Sequence, residues 1–289
     1  MPTLKEYKTK LQSLVNTKKV TKTMKLVSAS KLRQVQIAQS KAKVYAAELT
    51  GLIARLAASV EGASHILLHP VPDVKNILVL VITSDKGLCG GFNNNLSKQV
   101  FQWHKARKDQ LARIDLSFCG KRGWMFFKSR LPIKTYYEGV TNKPQFSTAD
   151  RIGKELIRAF ISGEYQEIYL AYNRYNNPIS QTPQIDKLLP IEPESLLKTG
   201  KALGSDYILE PSESMLLDFL LPKYFYFRIF YALLENSAGE HGARMSAMDK
   251  ATQSATELID KYTLLRNRAR QAAITKELIE IVSGAEALK

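Results

Sequence analysis

The sequence predicts an α/β protein in which long N- and C-terminal helices form a coiled coil and an α/β domain is inserted between them. Three observations predict this. Apolar residues recur with heptad spacing at both ends of the 289-residue chain. Proline is missing from Thr3 to His69 and again after Pro222. Between these stretches, apolar β-branched runs alternate with helical patterns, which indicates a mostly parallel sheet covered by helices. The expected divisions are 1–69 for the first helix, 70–210 for the α/β domain and 211–289 for the last helix.

The first helix is expected over about residues 3–60. Leu4, Tyr7, Leu11 and Leu14 step by three and four. The apolar pattern breaks across Asn16–Lys19 and resumes at Val35, Ala38, Ala42, Tyr45, Leu49, Leu52 and Leu56. This reads as a heptad seam with a stutter. Such a helix is roughly 80 Å long at 1.5 Å per residue and needs an equally long partner. The last segment supplies one, from about Ser212 to Ser283: Met248, Ala251, Ala255, Leu258, Tyr262, Leu265, Ala269 and Ala272 repeat the same steps. Pro222 is expected to kink or restart that helix.

In the middle, Val71-Pro72-Asp73 reads as a linker and Asn76–Thr83 as a buried strand. Further strands are expected at Ile114–Cys119, Ile133–Tyr137, Glu167–Tyr172 and Pro183–Leu189. Helices are expected at Phe92–Lys108, Lys121–Lys128 and Thr148–Ile161, the last capped by Ser147 or Thr148. Right-handed strand–helix–strand units of this kind make a Rossmann-like domain.

Composition narrows the function. Apolar residues make up 45% and Gly plus Pro is 26, so neither a disordered nor a collagen-like chain is indicated. No apolar run is long enough to span a bilayer, and the N-terminal segment lacks the apolar stretch of a secretory signal. Cys89 and Cys119 share no metal-binding spacing and read as packed thiols. The formal charge is +15. Residues 1–43 hold eleven basic side chains against one acid, Glu6, which implies a large anionic partner.

The strand-to-helix loop Thr83–Asn93 is glycine-rich and sits where α/β domains often bind anions. It matches neither a dinucleotide fingerprint nor a Walker loop, and a structural turn is the better reading. His65, His69, His104 and His241 form no metal or triad pattern. No catalytic constellation, cofactor site or metal site is expected. The polar stretches Asn16–Lys25 and Arg266–Gln271 interrupt good heptads, which marks them as candidate partner contacts. A basic coiled-coil nucleic-acid binder and a nucleotide-dependent enzyme remain as alternatives. The first lacks interleaved aromatics in its basic arm, and the second lacks a complete phosphate loop.

Four stretches carry a further pattern: Asn16–Lys31 (NTKKVTKTMKLVSASK), Ser84–Asn93 (SDKGLCGGFN), Glu240–Met248 (EHGARMSAM) and Asn267–Ala285 (NRARQAAITKELIEIVSGA). In order and spacing the chain resembles the gamma-subunit family of F-type ATP synthases, along its whole length. Thr23 and Gly242 stand where small Ala is common, and the cysteine-bearing insert of chloroplast versions is missing. The resemblance implies a rotor shaft at the cytoplasmic face of a bacterial cell membrane, peripheral to it and not catalytic by itself. It implies alpha, beta, epsilon and c-ring subunits as partners, no nucleic acid and no cofactor. It also implies contacts to the beta subunit from Lys19, Lys22, Met24, Lys25, Arg270, Gln271 and Thr275, and contacts to the c ring or epsilon from Tyr207 and Glu210.

Overall fold

The structure is a computed structural model that describes residues 3–59, 65–192, 210 and 212–286. Among these residues ten elements follow in order: α1 (Leu4–Ser59), β1 (Asn76–Ile82), α2 (Phe92–Arg107), β2 (Arg113–Cys119), α3 (Lys121–Phe127), β3 (Ile133–Tyr137), α4 (Phe146–Ile161), β4 (Glu167–Tyr175), β5 (Gln181–Leu189) and α5 (Glu213–Glu286). The chain divides into two compact units. One holds residues 1–28 and 245–289, the other residues 29–244. Both α1 and α5 contribute residues to each unit.

In the larger unit the five strands form one sheet in the order β3-β2-β1-β4-β5. β1, β2, β3 and β4 are parallel, and β5 closes one edge antiparallel to β4. β1 is the central strand. Its residues Ile77–Ile82 are all buried, because helices cover both faces and leave no side for polar residues. Ile77, Val79 and Val81 pack with Leu96, Val100 and Phe127 of α2 and α3 on one face. Leu78, Leu80 and Ile82 pack with α4, with α1 from Ala42 to Leu56 and with α5 from Leu217 to Leu234 on the other. A helical hairpin from the two chain ends thus forms part of the sheet's second layer.

Three local expectations are corrected. α4 begins earlier than its Ser147 or Thr148 signal, with Gln145 in the extended N-cap position and no side-chain cap. Phe146 opens the helix instead, its ring edge-on to Phe230 at 5.9 Å. Pro222 does not restart α5, which is one unbroken helix of 74 residues. Proline removes one amide donor, at the Asp218 carbonyl, and Leu217, Leu221, Phe225 and Ile229 around it are buried, so packing holds the helix through the defect.

The third correction concerns the heptad. From Tyr7, the buried or half-buried positions of α1 include one unbroken row: Tyr7, Leu11, Leu14, Lys18, Thr21, Lys25, Ser28, Leu32, Val35, Gln39, Ala42, Ala46, Leu49, Ile53 and Leu56. They alternate steps of four and three without a slip. There is no stutter, because polar residues occupy the seam where apolar ones were sought. Gln39 and Ala46 also replace Ala38 and Tyr45, each one residue later, and Ile53 is buried beside the half-buried Leu52. Tyr45 lies on the flank, 52% exposed, with its ring 5.1 Å from Phe227. On α5 the equivalent positions are Met248, Thr252, Ala255, Ile259, Tyr262, Arg266, Ala269 and Ala273.

Candidate functional site: a polar collar and an unpaired helix end

The smaller unit is an antiparallel helix pair. Lys25 Nζ bonds Asp249 Oδ1 at 2.6 Å, Thr252 Oγ1 donates to Thr21 Oγ1 at 2.8 Å, and the rings of Tyr7 and Tyr262 lie 6.3 Å apart. The sum of each partner pair stays nearly constant, which fixes the opposite running directions. The middle of this pair is a polar collar. Thr21 and Ser28 are buried in the seam, and Thr21 also donates to the Lys18 carbonyl at 3.1 Å. A hydroxyl at a seam position satisfies itself locally and keeps the two backbones close, at the cost of apolar contact.

The predicted collar residues divide by direction. Lys25 is held across the seam by Asp249, and Met24 is half-buried beside it. Lys19 and Lys22 point outward and make no ion pair among the described residues. The same outward surface carries apolar side chains: Val20 is 57% exposed and Leu26 is 62%. Such a mix of free cations and bare apolar groups suits contact with an acidic, partly apolar protein surface.

Arg270, Gln271 and Thr275 are not brought to the collar. Arg270 is 21 residues beyond Asp249, about 30 Å at 1.5 Å per residue. All three are exposed, and Thr275 donates to the Gln271 carbonyl at 2.9 Å. Beyond the Tyr7–Tyr262 level α5 soon runs without a partner among the described residues. From Ile274 to Ala285 every residue is exposed, including Ile274 at 50%, Leu278 at 56%, Ile281 at 68% and Val282 at 58%. Glu210 is exposed, and Tyr207 lies outside the described residues.

The glycine-rich loop belongs to the larger unit, where it is held as structure. Asn93 at the start of α2 accepts from the Ser84 amide at 2.9 Å and donates to Ser84 Oγ at 2.8 Å. Its amide also reaches Cys89 Sγ at 3.2 Å. α5 grips the loop from outside: Asn236 donates to the Thr83 carbonyl at 3.2 Å, and Arg244 donates to the Gly87 carbonyl through Nε and Nη2, each at 3.1 Å. Arg244 is itself paired with Glu240 at 2.6 Å, both buried. Burial raises the Glu240 carboxyl above its ordinary range and Arg244 opposes this. His241 packs beside them with Nδ1 3.4 Å from Arg244 Nη1. Burial first, then Arg244, Lys31 and Lys86, lower its pKa to about 4. Burial also raises the Cys89 thiol. Burial thus disfavours the Cys89 thiolate, and these bonds make the loop a buckle between sheet and helix. In the sequence Glu240 and Arg244 stand only within the Glu240–Met248 stretch, with no task of their own. The i, i+4 pairing was visible, but its loop partner is 157 residues away.

The ATP synthase family model matches residues 3–288 of this chain. The ATP synthase gamma chain of Geobacter metallireducens is 44% identical over 289 residues, covering 100% of both chains. That of Trichlorobacter lovleyi is 42% identical, again covering 100% of each.

The chain belongs to the ATP synthase gamma chain family.

The fold agrees. A rotor chain of the Euglena gracilis mitochondrial ATP synthase matches with a TM-score of 0.64 at 18% identity, covering 94% of this chain and 98% of that one. A central-stalk chain from Tetrahymena thermophila matches with a TM-score of 0.59 at 24% identity, covering 80% of this chain and 99% of that one. Among the described residues no helix is long and apolar enough to cross a membrane.

Proposed function

We infer that this chain is the central rotor shaft of a proton-translocating F-type ATP synthase. It transmits torque between a membrane c ring and catalytic beta subunits, at the cytoplasmic face of a bacterial membrane and peripheral to it. The observation that carries this reading is the full-length match to gamma chains, joined to a helix pair whose longer strand ends bare and apolar. In this role residues 1–69 and 211–289 form the shaft, and the α/β domain, residues 70–210, forms its foot against epsilon and the c ring. Tyr207 and Glu210 dock there. Nucleotide chemistry resides on the beta subunits, and the chain catalyses nothing alone.

The mechanism requires unequal contact. A shaft biases a catalytic subunit only if it binds that subunit's open and closed states with different free energies. Lys19 and Lys22 offer unpaired charge toward acidic loops, while Met24 and Lys25 set the collar's surface against α5. Around the bare end, small and apolar residues such as Ala272 and Ala273 let neighbouring subunits slip past, and Arg270, Gln271 and Thr275 supply a few directional bonds. A charge-assisted bond of about 1.5–3 kcal/mol shifts a two-state population tenfold or more.

The test is reconstitution with alpha, beta, epsilon and membrane sectors. Assembly with ATP-driven proton pumping is expected. Gln271→Leu is expected to lower multi-site ATP hydrolysis while leaving assembly and single-site turnover nearly intact. Lys22→Glu is expected to lower pumping per ATP without unfolding the chain. Cysteine placed at Tyr207 is expected to cross-link to c or epsilon. Failure to assemble overturns the function; unchanged rates or cross-links only to alpha and beta overturn the residue roles.

A further inference from the structure

Within the larger unit, α1, α5 and the β4–β5 edge line an open cavity of about 940 Å³ among the described residues. Cavities of this size hold small organic ligands. Small side chains of α1, Ala46 and Ala47, leave the room beside Phe227 and Arg228 of α5. The charges around it are unevenly satisfied. Two acids line it, and both are engaged. Glu235 accepts from the Tyr175 amide at 2.6 Å and from the Gln39 side-chain amide. Asp186 accepts from Tyr172 Oη at 3.2 Å, with Arg228 Nη2 3.8 Å away.

Three cations line the cavity as well: Lys43, Arg174 and Arg228. The side chains of Lys43 and Arg174 make no hydrogen bond or ion pair among the described residues. Arg228 has five N–H donors and uses one in a hydrogen bond, from Nη1 to Tyr224 Oη at 3.1 Å. Burial raises the Tyr231 and Tyr172 hydroxyls, and Arg174 and Arg228 respectively oppose it, which puts each guanidinium near one of those rings. The hydrogen-bonding capacity left over is therefore cationic. The rings are unevenly satisfied too. Tyr231 lies against Phe227 with 6.4 Å between centroids. Tyr172 and Tyr175 are half-buried and have no ring partner among the described residues. Tyr175 Oη accepts from Gln36 at 3.1 Å, which holds that ring in place.

We propose that this cavity is a binding site for a nucleotide. Three features select that class. Two guanidinium groups and an ammonium suit phosphate oxygens, which the arginine fork matches two at a time. The unpartnered tyrosine rings offer faces on which a planar base stacks. Ser40 and Gln184 line the cavity with no side-chain hydrogen bond among the described residues, and both can donate to and accept from sugar hydroxyls. Inorganic phosphate alone would leave the tyrosine faces and most of the volume unfilled. An acidic peptide would meet the cations but not the bare rings. No sequence motif announces the site, because Lys43, Arg174 and Arg228 come from α1, β4 and α5. It is also separate from the glycine-rich loop, whose carbonyls are held by Asn236 and Arg244. The inference does not rest on the rotor reading.

The test is equilibrium dialysis of the purified full chain, without other subunits, so that any binding belongs to it. The probes are ADP, adenosine, pyrophosphate and polyglutamate at about 0.15 M salt. ADP is expected to bind more tightly than any of the other three. Losing charge-assisted bonds lowers affinity about tenfold or more. Lys43→Gln with Arg174→Gln is therefore expected to bind ADP more than tenfold more weakly. Both side chains are exposed, so the fold is expected to stand, and circular dichroism checks it. Lys98→Gln with Lys105→Gln removes the same charge from α2 and is expected to stay within about twofold of wild type. Tyr175→Leu is expected to weaken ADP about fivefold or more and to leave pyrophosphate unchanged. Photoreactive 8-azido-ADP is expected to label peptides within residues 36–50, 172–186 or 224–235. No ADP binding up to about 1 mM overturns the proposal. So does pyrophosphate or polyglutamate binding as tightly as ADP, equal weakening by the two charge-removal pairs, or labelling confined to other peptides.

Discussion

Acidification tests the buried polar cluster at His241. The imidazole is 8% exposed and faces the Arg244 guanidinium, with Lys31 and Lys86 adding positive charge and Glu240 paired to Arg244 rather than to the ring. Its pKa falls from 6.5 to about 4. A histidine whose folded value is depressed is neutral in the fold and takes up a proton more readily when unfolded. Its neutral-state stability is present above pH 6.5 and is lost as pH falls toward 4. Linkage between these two values costs about 2 kcal/mol on going from pH 7 to pH 5, and about 3 kcal/mol by pH 4. His65 and His104 are also lowered by burial and act in the same direction, so the measurement is a difference. Urea unfolding of wild type and His241→Gln at pH 7 and pH 5 isolates the one group. The variant is expected to lose about 2 kcal/mol less over that interval. Parallel pH slopes for the two proteins would show that the imidazole is free to protonate in the fold, and the argument from burial would fail.

Further outcomes follow from neighbouring contacts. Arg244→Leu leaves the Glu240 carboxylate buried without its partner and is expected to cost about 3–5 kcal/mol in urea unfolding. Adding Glu240→Leu is expected to recover part of this, with a coupling of about 2 kcal/mol; strict additivity would count against the pair. Gly120 holds φ at 107°, and a Cβ there would lie 2.3 Å from the Thr83 carbonyl oxygen. Gly120→Ala is expected to cost at least about 3 kcal/mol, whereas Gly139→Ala, at φ 73° with nothing within 4 Å, is expected to cost about 1–2. Lys25→Ala is expected to change stability by under about 1 kcal/mol, because the paired side chains are 40% and 61% exposed. Cys89 and Cys119 are both buried and burial disfavours both thiolates, so aromatic disulfide reagents are expected to react only on unfolding. Reaction at the rate of a free thiol in the native protein would contradict that burial.

Local signals in the sequence reached the elements but not their partners. The β-branched run at Asn76, the helical pattern after Gly91 and the proline-free ends each depend on neighbours in the chain, and each element formed where its pattern lay. The seam was misread wherever a polar residue took an inward position. Gln39 is inward because Glu235 receives its amide, and Thr21 because Thr252 meets it. Those partners are 196 and 231 residues away, and no periodicity encodes them. Pro222 misled for the complementary reason. Its local cost is real, but buried side chains on either side of it outweigh one absent hydrogen bond. At the candidate site, the collar cations were legible as a break in pattern. Asp249 was not, since a single exposed acid on a helix announces nothing until its partner is placed.

The bare end of α5 has a mechanical consequence. Below the level of Tyr7 a second helix braces it, so bending requires the two strands to slide along their seam. From Ile274 onward the described residues show one filament, whose resistance to flexing and to torsion comes from its own backbone hydrogen bonds. A load applied sideways is therefore absorbed chiefly in the last three to four turns, which behave as a compliant tip on a stiffer stem. Impulses from the surroundings would be smoothed there before reaching the paired region.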